Sequence, residues 1–320
     1  MEKLVKISMI AILLVIQYVQ MLHSVHIGGV MAWPLVGVNL PKIPSFDLLD
    51  ETLAKIASEG FDGVEINIES FPMIIGGELC QMWVDVVKSV LEKHQLFYTA
   101  HIGRGLDLRD LPRRELHRNV LASSIEICRQ LDMKVLVLHY EVQSQNQQVE
   151  KYFLDAHRWV ADLAGKYGIM LCVENIEVEL IEPVVEFVQQ INHPHVKLTL
   201  DVGHAFLAAH YFHFDFLDTI SLMAPYLGHL HLNDNTGTFE ELRITDRPTY
   251  DGMMMSWRRE MGKGDIHLPP LFGKIPFDDV LARFTDYRGL YICEYTYEDF
   301  TPFNAAIQKR VREHIIASQK

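Results

Sequence analysis

The feature that most constrains the fold is a regular alternation of short apolar runs with longer amphipathic segments. Short apolar runs bounded by turn residues are typical of buried parallel strands, and apolar spacings of three and four residues are typical of helices. Amphipathic segments of this chain end at breakers such as Gly60 and Gly168. The predicted strands cover residues 26–32, 63–67, 96–101, 134–139, 169–174, 196–201, 227–232 and 289–294.

Strand-then-helix units with short connections predict a parallel sheet with helices outside it. Eight such units favour an α/β fold of the (β/α)8 TIM barrel type over an open sheet, because eight parallel strands close a barrel. No Gly-x-Gly-x-x-Gly follows the first predicted strand, which disfavours a dinucleotide-binding sheet. We therefore predict one barrel domain, residues 24–320, after an N-terminal extension, residues 1–23.

The extension has two interpretations. Lys3 and Lys6 precede an apolar run at residues 7–16, which resembles the core of a signal peptide and is too short to span a bilayer. One interpretation is a plain extension ahead of a cytoplasmic protein, and the other is export or membrane anchoring. The four cysteines form no Cys-x-x-Cys pair, which is typical of reduced core thiols and favours the cytoplasm.

Potential metal ligands stand at the carboxyl ends of successive predicted strands. The run LTLD closes on an acid, and His204 follows three residues later; alone, this pattern is more typical of a helix cap beside a core histidine than of a metal site. The same kind of ending recurs from the third strand to the eighth, and in a barrel these ends form the active-site rim. The residues are His101, His139, Glu174, Asp201, His204, His231 and Glu294, and the loop after strand seven adds Asp265 and His267.

This recurrence predicts a metal site on the rim. Nitrogen and oxygen ligands without cysteine suit Zn²⁺, Mn²⁺, Co²⁺ or Mg²⁺ and do not choose among them. In strands five and eight, the alternation of side chains places Glu174 and Glu294 opposite the more aliphatic or bulky face, which predicts that both point into the barrel mouth. His229 shares the parity of His231 one step deeper and is predicted to be a supporting or core histidine.

The stretch after strand seven, residues 233–275, is too long to be a simple connection without a function in a compact domain. We predict that it covers the rim and brings Asp265 and His267 toward the metal.

The motifs at these strand ends resemble those of the xylose isomerase-like TIM barrels, which include sugar phosphate isomerases and epimerases as well as the endonuclease IV family. The resemblance covers almost everything from about residue 25 onward. Its motifs are HIGRGLDL after strand three, VEN at strand five, DVGHA at strand six, HLND at strand seven, DIHLPPLFGKIPF in the long loop and CEYT at strand eight.

The resemblance implies ligand sets of two sizes. In the epimerase-like members one divalent ion is held at four positions, which match Glu174, Asp201, His231 and Glu294. In the endonuclease IV-like members a cluster of three metals uses further positions, which match His101, His139, His204, Asp265 and His267.

Three functional hypotheses follow. The first is a metal-dependent isomerase or epimerase acting on a small sugar or polyol, free or phosphorylated, in which Glu174 and Glu294 move a proton next to a carbonyl. The second is a phosphodiesterase acting on abasic DNA, which the net charge of −13 disfavours. The third is a non-catalytic barrel that binds a sugar. The sequence leaves the metal, the substrate and assembly into a homo-oligomer open.

Overall fold

The computed structural model describes residues 34–103 and 105–319. The predicted N-terminal extension lies outside these residues, as does most of the segment that joins it to the barrel, so the boundary at residue 24 stays a prediction. Within the described residues no helix is both long and apolar enough to cross a membrane.

Eight parallel strands close into a barrel, so the predicted fold class is confirmed. Each strand pairs with its neighbours in chain order, and the last pairs with the first through the register Leu35 to Leu290. We number the barrel strands in chain order: β1 Leu35–Asn39, β2 Gly63–Asn67, β3 Phe97–Ile102, β4 Val135–His139, β5 Met170–Glu174, β6 Val196–Asp201, β7 Leu227–Leu232 and β8 Leu290–Cys293.

Helices flank the barrel and use their apolar faces to cover it. In the first helix, for example, Leu49, Leu53 and Ile56 are fully buried at spacings of three and four residues. The α-helices are α1 Leu49–Ser58, α2 Gln81–Leu91, α3 Arg114–Gln130, α4 Gln147–Gly165, α5 Ile181–Ile191, α6 Val202–Phe212, α7 Phe216–Ser221, α8 Leu242–Thr245, α9 Arg247–Gly252, α10 Met255–Met261, α11 Phe277–Leu281 and α12 Asn304–Ser318. Single 3₁₀ turns and a small hairpin, Ile74–Ile75 with Glu78–Leu79, complete the described elements.

The first predicted strand is wrong in position. Residues 26–32 lie outside the described part of the chain, and the barrel's first strand is Leu35–Asn39. Pro34 stands just before this strand. A proline is compatible with that position, because it removes a donor only where the ladder has not yet begun.

The long stretch after β7 is folded down onto the barrel, with α8, α9 and α10 in its middle. Buried Asp234 anchors both ends of this stretch, because its carboxylate accepts backbone N–H bonds from Asn235, Gly273 and Ile275 at 2.8, 2.7 and 3.1 Å. Only glycine fits at position 273, where a Cβ would lie 2.3 Å from the backbone oxygen of Asn235. The stretch is therefore a fixed cover rather than a loose loop.

Candidate metal centre

All nine predicted rim residues lie at the carboxyl ends of the strands or in the cover above them. Glu65, His229 and His231 form one group of potential ligands below the rim, and among the rim residues the potential ligand atoms within each of three groups lie within 4.8 Å of one another. We call these the central group (Glu174, Asp201, His231 and Glu294), the β3–β4 group (His101, His139 and Glu174) and the loop group (His204, Asp265 and His267).

The central group has a single imidazole surrounded by three carboxylates. The Nδ1 atom of His231 lies 3.0 Å from Glu294 Oε2, 3.4 Å from Glu174 Oε1 and 3.9 Å from Asp201 Oδ2. Glu174, Asp201 and His231 are almost completely buried, whereas the side chain of Glu294 keeps 15% of its surface exposed. Ligands bound about 2.0–2.2 Å from one tetrahedral ion lie a little over 3 Å apart, so these spacings fit a shared cation.

In the β3–β4 group two imidazoles face the outer oxygen of Glu174. His101 Nε2 lies 3.0 Å from His139 Nε2 and 3.2 Å from Glu174 Oε2, and His139 Nε2 lies 3.5 Å from the same oxygen. Glu174 therefore belongs to both this group and the central group, one oxygen in each. A carboxylate shared in this way suits two neighbouring cations.

In the loop group, Asp265 Oδ2 lies 2.8 Å from His267 Nε2 and 3.5 Å from His204 Nε2. Each histidine turns its other nitrogen to a carbonyl: Nδ1 of His204 is 3.0 Å from the oxygen of Asn175, and Nδ1 of His267 is 3.0 Å from the oxygen of Glu294. Since a carbonyl only accepts, both Nδ1 atoms donate, which leaves both Nε2 atoms, beside Asp265, as the nitrogens that could bind a cation.

Two short hydrogen bonds hold the carboxylate of Asp201 in place. Asp201 caps α6 by accepting the backbone N–H of His204 at 2.6 Å, and its other oxygen accepts an N–H bond from Asn233 at 2.6 Å. The helix-cap interpretation and the metal interpretation of Asp201 are therefore compatible. Gly203 allows this contact, because a Cβ there would lie 1.7 Å from Asn233 Oδ1.

Several buried polar atoms at the rim have no hydrogen-bond partner among the described residues. Such atoms are rare in folded proteins, and each calls for an unseen partner such as an ion. They include both carboxylate oxygens of Glu174, Nδ1 of His231, Oδ1 of Asp265 and Oε2 of Glu294. The residues present therefore fit bound cations.

Electrostatics support the same conclusion. Burial alone would lower the pKa of His101, but the carboxylate of Glu174 outweighs it and raises that pKa to about 9. Burial raises the pKa of Asp201 to about 7, against the opposing charge of His204. A cation would replace protons at these side chains and stabilise the ionised acids.

Sequence reasoning missed Glu65 of β2. Its Oε1 lies 2.8 Å from Nε2 of His231, and its Oε2 lies 2.8 Å from Nε2 of His229. The prediction that His229 supports the site from below agrees with this contact. The missed signal is an acid in the middle of the apolar strand GVEIN, where burial of a charge requires partners.

The cover is tied to the rim near the loop group. The hydroxyl of Tyr250 accepts the backbone N–H of Asp265 at 3.2 Å, and Arg243 of α8 pairs with Glu177 beyond the end of β5. Arg247 of α9 lies 3.8 Å from Glu141, just after β4. These contacts place α8 and α9 beside the mouth of the barrel.

A family model described as "xylose isomerase-like TIM barrel" matches residues 53–316. The chain belongs to this family. Among solved structures, this xylose isomerase-like barrel is similar to a D-tagatose 3-epimerase-like protein, with a TM-score of 0.66 and 18% identity over 89% of this chain and 98% of the other. It is also similar to D-psicose 3-epimerase of Clostridium cellulolyticum H10, with a TM-score of 0.63 and 15% identity over 90% of this chain and all of the other. At these identities the likeness shows the fold.

One curated relative is the "Uncharacterized protein MJ1614" of Methanocaldococcus jannaschii, which is 25% identical over 161 residues. That match includes 47% of this chain and 61% of the relative, so the chain spans about three fifths of the length of the relative. Both of the solved structures named above carry the names of sugar epimerases or epimerase-like proteins.

Proposed function

We propose that this protein is a metal-dependent phosphoesterase that acts on a small phosphorylated sugar or polyol. The observation that carries the proposal is the division of nine rim side chains into three ligand groups, two of which share Glu174. An enzyme that needs a single ion requires only the central group. The two additional groups are accounted for if three cations bind side by side.

The surroundings of Glu174 favour hydrolysis over proton transfer from carbon. Imidazole nitrogens of His101, His139, His204 and His231 lie within 3.2–3.5 Å of its two oxygens, and the side chain is 1% exposed. If each of these oxygens binds a cation, Glu174 has none left for a substrate C–H. Glu294 is more exposed than Glu174, at 15% against 1% of the side chain, so it is the acid that would accept a proton from an attacking water.

When bound, clustered divalent cations stabilise the charge that develops on phosphoryl oxygens and acidify water. Five imidazoles among the nine ligands favour Zn²⁺ or another borderline ion over Mg²⁺, which prefers oxygen ligands. The chain's own contribution is to hold the ligands rigidly and to limit access of bulk water with the cover.

A small substrate is favoured over duplex DNA. The chain carries a net charge of −13, which opposes a long polyanion but not a single phosphate bound by cations. The cover also occupies space beside the barrel mouth, and its arginines Arg243 and Arg247 are paired with acids of the rim. The names of the structural neighbours support a sugar as the rest of the substrate.

The second candidate is a sugar isomerase or epimerase. It is favoured by the complete central group, which matches the four positions expected for one ion, and by the names of the neighbours. In that case Glu294 and Glu174 transfer the proton, as predicted from the sequence, and the other two groups hold no catalytic ion.

One experiment separates the two candidates. Zinc-loaded protein is incubated with a panel of sugar phosphates in ¹⁸O-labelled water, and with the corresponding ketoses in deuterated water. We expect inorganic phosphate carrying ¹⁸O, and its loss in the Asp201→Ala variant. Deuterium in a ketose carbon, with no phosphate released from any ester, would replace this proposal with the epimerase.

A further inference from the structure

A second cluster of polar side chains lies inside the barrel, one layer below the central group. Glu65 of β2, Thr99 of β3 and His229 of β7 meet there, and each of the three is at least 94% buried. Nothing in the chemistry described above uses these residues. Burying an acid in a barrel interior is costly unless its oxygens are satisfied, so the cluster requires an explanation.

The partners of Glu65 account for both of its oxygens. Oε2 accepts the hydroxyl of Thr99 at 3.0 Å and faces Nε2 of His229 at 2.8 Å. Oε1 faces Nε2 of His231 at 2.8 Å. Neither oxygen is among the buried atoms without a partner, in contrast to both oxygens of Glu174. Glu65 is therefore hydrogen-bonded to Thr99 and His229, whereas Nε2 of His231 lies within hydrogen-bond distance of Oε1 but makes no well-aligned hydrogen bond.

His231 joins the central group to the cluster around Glu65 below it. Its Nε2 atom faces Glu65 from above, and its Nδ1 atom lies 3.0 Å from Glu294 and 3.4 Å from Glu174. An imidazole that keeps its proton on Nε2, next to an acid, presents its lone pair at Nδ1. A carboxylate partner of this kind fixes both the tautomer and the ring orientation of a metal-binding histidine.

We propose that Glu65 is a positioning residue that holds His231 with Nδ1 toward the central cation. This inference rests on the proposed metal binding and adds a residue from outside the rim to it. His229 and Thr99 complete the shell of donors around Glu65, and the His229 ring also packs edge-on against His231, with ring centroids 5.2 Å apart.

The test compares Glu65→Gln with His229→Gln, and it measures zinc affinity by competition with a chromophoric chelator. Glu65→Gln keeps the shape of the side chain but replaces one acceptor oxygen with an NH₂ donor. Only one acceptor then remains for the Nε2 atoms of His229 and His231. We expect it to weaken zinc binding about 10–100-fold, the usual effect of removing such a partner. His229→Gln is equally buried and still presents a donor to Glu65, so its zinc affinity should stay within about threefold of wild type.

The outcomes are distinguishable. Unchanged zinc affinity in folded Glu65→Gln, or equal losses in both variants, overturns the positioning role. If the wild type itself binds no zinc, the proposed function fails first and this inference fails with it. Because Glu65→Gln can fail to fold, a second measurement uses the zinc-loaded wild type: ¹⁵N NMR of His231 should show a protonated Nε2 and a zinc-bound Nδ1. Zinc on Nε2 would contradict the proposal whatever the variants do.

Discussion

The molecule buries histidines in two quite different settings. At the rim, five imidazoles face carboxylates, and His101 is typical of them, with Glu174 at 3.2 Å. In the helical layer, His157 of α4 is equally buried, but its Nδ1 contacts only the carbonyl of Phe153, at 2.8 Å, and its ring packs on Phe153 and Phe187.

The two settings move the pKa in opposite directions. Burial lowers the pKa of His157 to about 4, so this imidazole stays neutral in the fold. Burial acts on His267 in the same direction, but Asp265 outweighs it and raises that pKa to about 10. Burial of a histidine therefore indicates packing, and only the added carboxylates indicate a site for cations.

The largest effect should come from Asp201→Ala, which removes one of the acids surrounding His231. We expect loss of the central ion and a fall in turnover of more than about a hundredfold, beyond the 10–100-fold typical of residues one step from a metal. The helix cap is lost as well, at a cost of about 1 kcal/mol. Metal analysis and steady-state kinetics measure the two effects.

Asp215→Ala is the matched control, since Asp215 caps α7 through the backbone N–H of Asp218 and lies outside the three groups. It should lose similar stability and keep its metal and its activity. Equal loss of activity in both variants would mean that capping, rather than metal binding, explains Asp201.

Asp265→Ala should have an intermediate effect. It removes the acid between His204 and His267, so we expect one ion fewer per chain while the other two groups stay filled. Asp246→Ala serves as the control, because Asp246 lies in the same cover and only caps α9. Loss of every ion in Asp265→Ala would show that the groups are not separable.

The smallest effect concerns His157→Leu, which should leave metal content unchanged and alter only the pH dependence of stability. In the unfolded wild type His157 is protonated below about pH 6.5, whereas in the folded protein it stays neutral down to about pH 4. Stability contributed by the neutral imidazole is thus present above pH 6.5 and falls by up to about 3 kcal/mol toward pH 4. Urea titrations at pH 7 and pH 5 should show a smaller difference in the variant; an unchanged difference would contradict a neutral buried His157.

The sequence was most informative where a polar residue interrupts an apolar pattern at a strand end. The count of eight strand-then-helix units predicted the barrel, and the endings of β5 and β6 predicted the position of Glu174 and Asp201 on its rim. The resemblance named the four residues of the central group together, but the division of the other five could not be predicted, since it depends on the rotation of each side chain and on the path of the cover.

Two errors have local physical reasons. The cap interpretation of Asp201 places the start of a helix there, but the extent of Val202–Phe212 was not predicted, because most of its residues are buried and no polar face marks a helical period. Glu65 was missed because it lies within a strand rather than at its end, and only the fold reveals the two histidine nitrogens that satisfy its oxygens.

The central claim is that the rim holds three cations, and the most direct test counts them. Purified protein is saturated with zinc, freed of excess metal by gel filtration and analysed for zinc and protein together. The three ligand groups predict about three ions per chain, falling to about two in Asp265→Ala. A value near one ion per chain, unchanged in Asp265→Ala, would contradict the cluster and leave the epimerase as the better account.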